Sequence, residues 1–239
     1  MFYFSIAYYF LQVIKQKRII IAFIKKYVIL KYKDLFRRCV ALKLYRFDIR
    51  NMNTTEFDKW FALMDEEKQE RVSRFRFDDD KKRTVAGEML ARKAVAEMCG
   101  VAEEEIVFGK TENGKPFAEN VDEHFNISHS GNFVVCAADK KSIGVDIEEI
   151  RPVKLTVAKR VYTTDELFYL FGYTPTDDDF NKTPDSQMLV RFFELWTAKE
   201  AYLKYTGTGI VDNLNKMSVN RNNIHCEISD DYIISVYTE

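Results

Sequence analysis

The first half of the chain alternates between segments with a strand pattern and segments with a helical period. Residues 40–49, VALKLYRFDI, have the composition of a strand. Apolar residues at helical spacing follow in 54–75, TTEFDKWFALMDEEKQERVSRF, and in 78–100, DDDKKRTVAGEMLARKAVAEMCG. Acids begin the second of these segments and Gly100 ends it, as expected for a helix. We therefore predict one strand followed by two helices.

The centre of the chain predicts antiparallel strands. Residues 106–118, IVFGKTENGKPFA, resemble a hairpin that turns near Asn113-Gly114. Two strands are expected next, in 124–139, HFNISHSGNFVVCAAD, and in 142–150, SIGVDIEEI. The connections between these strands are too short for crossover helices, so neighbouring strands should pair antiparallel.

The C-terminal part returns to helices before it ends in strands. Residues 154–171 predict a helix with a break near Thr163, and the polar stretch 172–186 predicts a mobile loop or a boundary. An amphipathic helix is expected over 187–207, and the tail 216–239 is strand-like. Helices and strands are thus mixed, and the connections between successive strands are short, which indicates the α+β class.

Composition narrows the class of protein. A net charge of -1 over 239 residues argues against a protein that coats nucleic acid. The four cysteines are scattered without a CxxC pair, which favours buried thiols in a reducing, cytoplasmic location over a disulfide frame or a zinc site. The cysteines are Cys39, Cys99, Cys136 and Cys226.

Residues 1–39 differ from the rest because they are basic and rich in apolar runs. Neither run reaches the roughly 20 residues that span a bilayer. Three interpretations stay open: a helix at a membrane surface, a helical extension packed on the domain, or a translated stretch upstream of the true start. If this segment determines the function, the chain is a membrane-surface protein, and the acidic motifs described next have no catalytic role.

Two short patterns carry candidate chemistry. Asp146 and Glu148 in GVDIEEI are two apart on a predicted strand, so both point to one face and repel each other. Glu200 and Lys204 are four apart on a predicted helix and also share a face. Each pattern alone is usually an ordinary surface feature. Together the three carboxylates would make an all-oxygen site suited to Mg²⁺, which would relieve the repulsion.

These motifs resemble the two signatures of the 4′-phosphopantetheinyl transferase family, with the longer, surfactin-synthetase-activating type as the closer match. The signatures are GVDIEEI and, some fifty residues on, FFELWTAKEAYLK. Four further segments are similar to sequence motifs of the family: EKQERVSRF, RTVAGEMLAR, NGKPF and FNISHSG. The resemblance covers roughly residue 40 to the C-terminus.

The resemblance implies an enzyme that transfers the phosphopantetheine arm of coenzyme A to a serine of an acyl or peptidyl carrier protein, with release of adenosine 3′,5′-bisphosphate. Asp146, Glu148 and Glu200 would hold Mg²⁺ against the pyrophosphate. Glu200 would also be the general base, and Lys204 would stabilise the departing phosphate. The carrier could serve fatty acid, polyketide or nonribosomal peptide synthesis.

The resemblance also implies a set of coenzyme A ligands, most of them cations for its phosphates. These are Lys68, Arg71, Arg83, Thr84, Lys115, Ser128, His129 and Lys204. Lys68 and Arg71 are three apart on one predicted helix face, where they could reach a shared phosphate. Glu166 falls near a family acid that is sometimes placed close to the site.

The implied architecture has two similar subdomains related by a pseudo-twofold axis, each a small antiparallel sheet packed with a long helix, and an active site between them. We assign residues 40–149 to the first subdomain and 150–239 to the second, with a monomer expected. The sequence departs from the family pattern in residues 1–39 and at its C-terminus, where a further strand is expected and is missing. A coenzyme A-binding relative without activity is the alternative.

Overall fold

The computed structural model describes residues 42–209, 213–229 and 231–239. The extension predicted for residues 1–39, with its membrane-surface interpretation and Cys39, lies outside the described residues. Within the described residues, no helix is both long and apolar enough to cross a membrane. Cys99, Cys136 and Cys226 are free thiols, and Cys136 is fully buried.

The described chain contains helices and short strands in mixed order. The strands are β1 Lys43–Asp48, β2 Phe108–Lys110, β3 Pro116–Ala118, β4 His124–Ser130, β5 Phe133–Asp139, β6 Ile143–Glu149, β7 Ile224–Ile228 and β8 Tyr232–Thr238. The α-helices are α1 Thr54–Ala62, α2 Glu66–Ser73, α3 Asp78–Cys99, α4 Ala158–Val161, α5 Thr164–Phe171 and α6 Ser186–Thr206.

The first half packs the long helix α3 on a three-stranded antiparallel sheet of order β1-β5-β4. Small side chains on α3 let the helix lie close to the sheet: Ala86 and Ala94 are fully buried, and a Cβ on Gly87 would stand 3.2 Å from Ile127 of β4. The helix ends at Gly100, whose φ of 73° is left-handed and favours glycine.

The second half repeats this plan. The long helix α6 packs on a three-stranded antiparallel sheet of order β6-β8-β7. In each half the chain runs strand, long helix, then hairpin, and the last strand lies in the middle of the sheet. The predicted α+β class with two similar subdomains is therefore confirmed.

The subdomain limits are less simple than predicted. β6 precedes the predicted division at residues 149/150, but it pairs with β8 from Ile143↔Thr238 to Glu149↔Tyr232. That division would separate β6 from its own sheet. The last strand, β8, is bonded on both sides, to β6 and to β7. The expectation that a further C-terminal strand of the family pattern is missing stays a prediction.

Two predicted elements are in fact pairs of elements. The single helix predicted for 54–75 is broken into α1 and α2, because the Asp65 side chain caps a new helix by accepting the N–H of Lys68 at 2.7 Å. The single strand predicted for 124–139 is the hairpin β4–β5, which turns at Gly131 with a φ of 53°.

Other local predictions are confirmed. The hairpin β2–β3 turns at Gly114, which has a φ of 77°. The helical stretch breaks at Thr163, whose side chain caps α5.

The stretch 172–186, predicted as a mobile loop or boundary, instead contains the buried Asp179, which accepts hydrogen bonds from Tyr173, Thr176 and Lys182.

We expect Gly144→Ala to destabilise the second half strongly. A Cβ at Gly144 would lie 2.0 Å from the carbonyl oxygen of Ala201 and 2.4 Å from the backbone nitrogen of Tyr205, so α6 would have to move off β6. The expected cost is about 3 kcal/mol, as for a severe overpacking change. It is measured by chemical denaturation.

The matched control is Gly109→Ala on β2. The three atoms nearest to a Cβ there all belong to the flexible side chain of Glu119. This variant should be close to wild type, and equal stabilities for the two variants would contradict the close approach of α6 to β6.

Candidate active site

The two acids of the first motif lie on one face of β6, as the spacing predicts. Asp146 and Glu148 both turn toward β4, where Oδ1 of Asp146 accepts the hydroxyl hydrogen of Ser128 at 2.8 Å. Oε2 of Glu148 accepts that of Ser130 at 3.0 Å. The two carboxylates thus face the junction between the subdomains.

Side chains of β4 join the two sheets at this junction. Oδ1 of Asn126 accepts the backbone N–H of Val145 at 2.8 Å. The hydroxyl oxygens of Ser128 and Ser130 accept the N–H groups of Ile147 and Glu149 at 3.4 and 3.0 Å. Three side-chain oxygens on alternate residues of β4 therefore satisfy alternate amides along β6. We call this set, Asn126, Ser128 and Ser130, the polar ladder.

Lys204 supplies a positive charge for Asp146. Its Nζ lies 2.7 Å from Oδ1 of Asp146 and donates to Ser128 Oγ at 2.8 Å. The second oxygen, Oδ2, is buried and has no hydrogen-bond partner in the part of the chain that the structure describes. Burial raises the pKa of Asp146, and Lys204 and Ser128 oppose that rise. This orphaned oxygen is the type of atom that a metal ion satisfies.

A different cation, Arg151, pairs with Glu148. Arg151 donates from Nη1 to Oε2 of Glu148 at 2.8 Å, and its guanidinium lies 5.3 Å from the centre of the Phe193 ring. Lys204 and Arg151 therefore offset part of the repulsion expected between the two acids of β6.

Glu200 lies on the half-buried face of α6 beside these acids. Burial raises its pKa, the nearby Asp146 and Glu148 raise it further, and Lys204 lowers it. Within residues 42–209, 213–229 and 231–239, no three acidic, histidine or cysteine side chains form a preassembled metal-binding cluster. The ligand set Asp146, Glu148 and Glu200 stays a prediction.

Five of the predicted coenzyme A ligands line one cavity of about 350 Å³ in the first subdomain. They are Lys68, Arg71, Arg83, Thr84 and His129. Phe108, Phe125 and Ile127 form apolar parts of the same wall. A cavity with clustered cations and a flat apolar wall is chemically suited to a phosphorylated nucleotide.

The cations of this cavity are held in different ways. Lys68 forms a 2.7 Å ion pair with the buried Glu88, which is also bonded to Arg92. Arg83 donates to the carbonyl oxygen of Gly131 at 2.8 Å and pairs with Asp80 at 2.6 Å. These contacts fix the side chains before any ligand is present.

His129 and Ser128 lie on opposite faces of β4, because neighbouring strand residues alternate. His129 lines the cavity, and partial burial, Arg83 and Lys204 all lower its pKa. Ser128 instead points to Asp146 and Lys204 and is buried. These two predicted coenzyme A ligands therefore face different parts of the site.

A second cavity, of about 280 Å³, shares Gly114, Pro116 and Ile127 with the first. Its wall includes Lys115, Glu200 and Lys204. The two cavities are thus neighbours, and the second has Glu200 and the Asp146 partner Lys204 in its wall.

Lys115 is engaged with the protein itself. Its Nζ donates to the carbonyl oxygen of Lys204 at 2.6 Å, so it satisfies the C-terminal turn of α6, and burial lowers its pKa. Asn113 of the same hairpin donates to the carbonyl oxygen of Gly207 at 3.1 Å. The β2–β3 loop is therefore fastened to the end of the helix that carries Lys204.

Glu166 is not brought to the junction. Its carboxylate caps α5 at the N–H of Thr163, and it pairs with the buried Lys199 at 2.9 Å. The expectation that this acid lies close to the site is therefore corrected. Lys199 and Glu200 do point in different directions, as adjacent helical residues should.

Asn126, Ser130 and Arg151 belong to this site but are not among the predicted site residues. The alternation N-x-S-x-S in FNISHS was the available signal for the first two, because it places three polar side chains on one face of a strand. Arg151 carried no signal of its own beyond a position three residues after Glu148.

Comparisons with known proteins agree on one family. The model of the "4′-phosphopantetheinyl transferase, N-terminal" family matches residues 51–141, and that of the "4′-phosphopantetheinyl transferase superfamily" matches residues 142–233. A 4′-phosphopantetheinyl transferase of Bacillus subtilis is 39% identical over 171 residues, which are 71% of this chain and 72% of that protein.

Two further relatives are similar over the same extent. The 4′-phosphopantetheinyl transferase psf-1 of Bacillus pumilus is 36% identical over 74% of this chain and 72% of that protein. The 4′-phosphopantetheinyl transferase Sfp of Bacillus subtilis strain 168 is 34% identical over 71% of this chain and 72% of that protein.

The two family models cover both subdomains, and with the named relatives they identify the chain as a transferase. The chain belongs to the 4′-phosphopantetheinyl transferase family. The predicted resemblance to the longer type and the prediction of an enzyme are both confirmed by these relatives.

We expect Glu200→Gln to stabilise the fold at neutral pH. A carboxyl group whose folded pKa is raised destabilises the fold once it ionises, and this penalty grows as pH rises from its ordinary value of 4.5 through the folded value. Glutamine removes the penalty. The melting temperature, measured in chelator, should rise at pH 7 by about 2–4 °C for each kcal/mol gained.

The gain should disappear at a pH below 4.5, where the wild-type carboxyl is protonated in both states. Glu112→Gln, at an exposed loop position, is the control and should change little. A Glu200→Gln protein that melts at or below the wild-type temperature at pH 7 would refute the electrostatic account of this residue.

Proposed function

We propose that the enzyme transfers the phosphopantetheine arm of coenzyme A to a serine of an apo acyl or peptidyl carrier protein, with Mg²⁺ and with release of adenosine 3′,5′-bisphosphate. The observation that carries this proposal is a pair of neighbouring cavities that share three wall residues. One has a wall of phosphate-binding cations, and the other reaches Glu200 and Lys204 beside Asp146 and Glu148.

The donor set fits a hard divalent cation. Asp146, Glu148 and Glu200 offer only carboxylate oxygens, which Mg²⁺ prefers, and Oδ2 of Asp146 is buried without a partner. Bound Mg²⁺ would neutralise charge on the pyrophosphate as the phosphoryl group is transferred. Few protein ligands suffice, because water and phosphate oxygens complete the octahedron.

Glu200 and Lys204 would act on the two ends of the reaction. The serine oxygen forms a bond to the phosphorus next to pantetheine, the bond from that phosphorus to the bridging oxygen breaks, and the serine proton passes to Glu200. A raised pKa suits Glu200 to accept a proton near neutral pH. Lys204 would stabilise the negative charge on the departing phosphate.

The cations of the larger cavity would bind the nucleotide end of coenzyme A. Lys68, Arg71 and Arg83, together with the Thr84 hydroxyl and His129, offer donors to a 3′-phosphate and to the pyrophosphate. Because Lys68 and Arg83 are already held by Glu88 and Gly131, little side-chain entropy would be lost on binding.

Lys115 has a more indirect role in this proposal. Its amino group is engaged with α6, so it would support the cavity wall next to the adenine and ribose. Ser128 would likewise act through Asp146 and Lys204.

We place this reaction in the cytoplasm and assign it to a monomer, with coenzyme A and a carrier protein as partners and no role for nucleic acid. The free thiols suit a reducing compartment, and the net charge of -1 gives no general affinity for nucleic acid. The alternative is a relative that binds coenzyme A without transferring its arm. An intact set of three acids and Lys204 favours the enzyme.

The direct test is to incubate the protein with coenzyme A, Mg²⁺ and an apo carrier protein and to weigh the carrier. We expect its mass to increase by one phosphopantetheine arm. Asp146→Ala, Glu148→Ala and Glu200→Ala should each abolish the transfer, because a site with few carboxylates has none to spare.

The same variants must remain folded, which their melting temperatures report. Coenzyme A binding without transfer by the wild type would support the non-catalytic alternative. Full transfer by any of the three variants at ordinary Mg²⁺ levels would contradict the ligand assignment.

Arg71→Ala should raise KM for coenzyme A more than it lowers kcat. Arg71 is exposed and lines the larger cavity, so its removal takes away a phosphate contact without leaving a buried acid unpaired. A contact that is equal in the ground and transition states contributes uniform binding. Dephospho-coenzyme A, which lacks the 3′-phosphate, should respond little to the change.

Arg74→Ala is the matched control, because Arg74 directly follows α2 and pairs with Glu70 outside this cavity. It should leave both substrates unaffected. Equal losses for coenzyme A and dephospho-coenzyme A in Arg71→Ala would assign this arginine to something other than the 3′-phosphate.

A further inference from the structure

We propose that Ser130 is a positioning residue that fixes the carboxylate of Glu148 so that one of its oxygens is left free for the divalent cation. The inference rests on the proposed function, because it concerns how one of the proposed metal ligands is held. It adds a residue that lies in the motif FNISHSG but is not in the predicted ligand set.

The carboxylate of Glu148 is held by one oxygen only. Oε2 accepts two hydrogen bonds, from the hydroxyl of Ser130 at 3.0 Å and from Nη1 of Arg151 at 2.8 Å. No donor among the described residues reaches Oε1. A carboxylate fixed through one oxygen presents the other in a defined direction.

Asp146, two residues before Glu148 on β6, is held in the same way. Oδ1 accepts from the hydroxyl of Ser128 at 2.8 Å and from Lys204 at 2.7 Å, while Oδ2 is buried without a partner. Each acid therefore has one serine of the polar ladder and one cation on a single oxygen. The same arrangement thus leaves one oxygen of each acid available to a cation.

Two hydrogen bonds fix the orientation of the Ser130 hydroxyl. Its oxygen already accepts the backbone N–H of Glu149 at 3.0 Å. A serine hydroxyl has one hydrogen to donate, and here that hydrogen goes to Glu148. The same backbone contact that joins the two sheets thus orients the donor.

Arg151 makes the shorter contact to the same oxygen, but that contact is more open to solvent. Its side chain is 54% exposed, and such ion pairs are screened by solvent and salt. Ser130 is less exposed and carries no charge, so it does not oppose a bound cation. The orienting contact is therefore assigned to the serine.

The test measures Mn²⁺ affinity by electron paramagnetic resonance on the full chain, with coenzyme A present and no carrier protein. Ser130→Ala should weaken Mn²⁺ binding by about tenfold, as is typical when a partner of a metal ligand is removed. Ser130→Thr, which keeps the hydroxyl, should stay close to wild type. Ser130→Cys keeps the size but donates weakly, and it should show a smaller loss.

A double-mutant cycle separates positioning from a general structural effect. In a Glu148→Gln background, Ser130→Ala should cause little further loss of Mn²⁺ affinity, because the ligand that it positions is already gone. Ser73→Ala, at an exposed serine bonded only within its own helix, is the control and should bind Mn²⁺ like wild type.

Melting temperatures show whether each variant is folded, and Ser130→Cys replaces Ser130→Ala if the latter is not. Wild-type Mn²⁺ affinity in the Ala and Cys variants would overturn the inference, as would an undiminished loss in the Glu148→Gln background. If Glu148→Gln itself binds Mn²⁺ like wild type, the metal assignment of the proposed function fails, and the role of Ser130 fails with it.

Discussion

The polar ladder on β4 is the contact on which the rest of the site depends. The edge of β6 that faces β4 carries backbone amides that must be satisfied, and the oxygens of Asn126, Ser128 and Ser130 accept them. The two serines then donate their hydroxyl hydrogens to Asp146 and Glu148. One set of atoms therefore both joins the subdomains and orients the acids, so a change that loosens the junction also disturbs the chemistry.

Much of the fold was predictable because its limits are set by local signals. Gly100 and Gly207 end the two long helices with left-handed backbone, and each was visible as a stop. The break at Asp65 was missed, since a cap within a continuous helical period is a weak signal. The pairing of β6 with β8 joins segments about ninety residues apart, and no local pattern encodes it.

The site was predictable at the level of residue types and less so in its contacts. The spacing of Asp146 and Glu148 correctly placed two acids on one face, whereas the cations that answer them, Lys204 and Arg151, come from different elements. Lys115 shows the limit of a motif, because its position was known but its bond to the end of α6 depends on how the hairpin packs. Such contacts follow from tertiary structure alone.

The charge at the junction favours a role for a divalent cation. When the three acids Asp146, Glu148 and Glu200 are ionised, they face the two cations Lys204 and Arg151 with an excess of one negative charge. A pyrophosphate that approached this excess would be repelled, and more strongly so where burial lowers the local dielectric constant. The two side-chain cations each already occupy one carboxylate oxygen. A divalent cation on the remaining oxygens would reverse the local charge, and only then would the acids favour the substrate that the larger cavity is suited to bind.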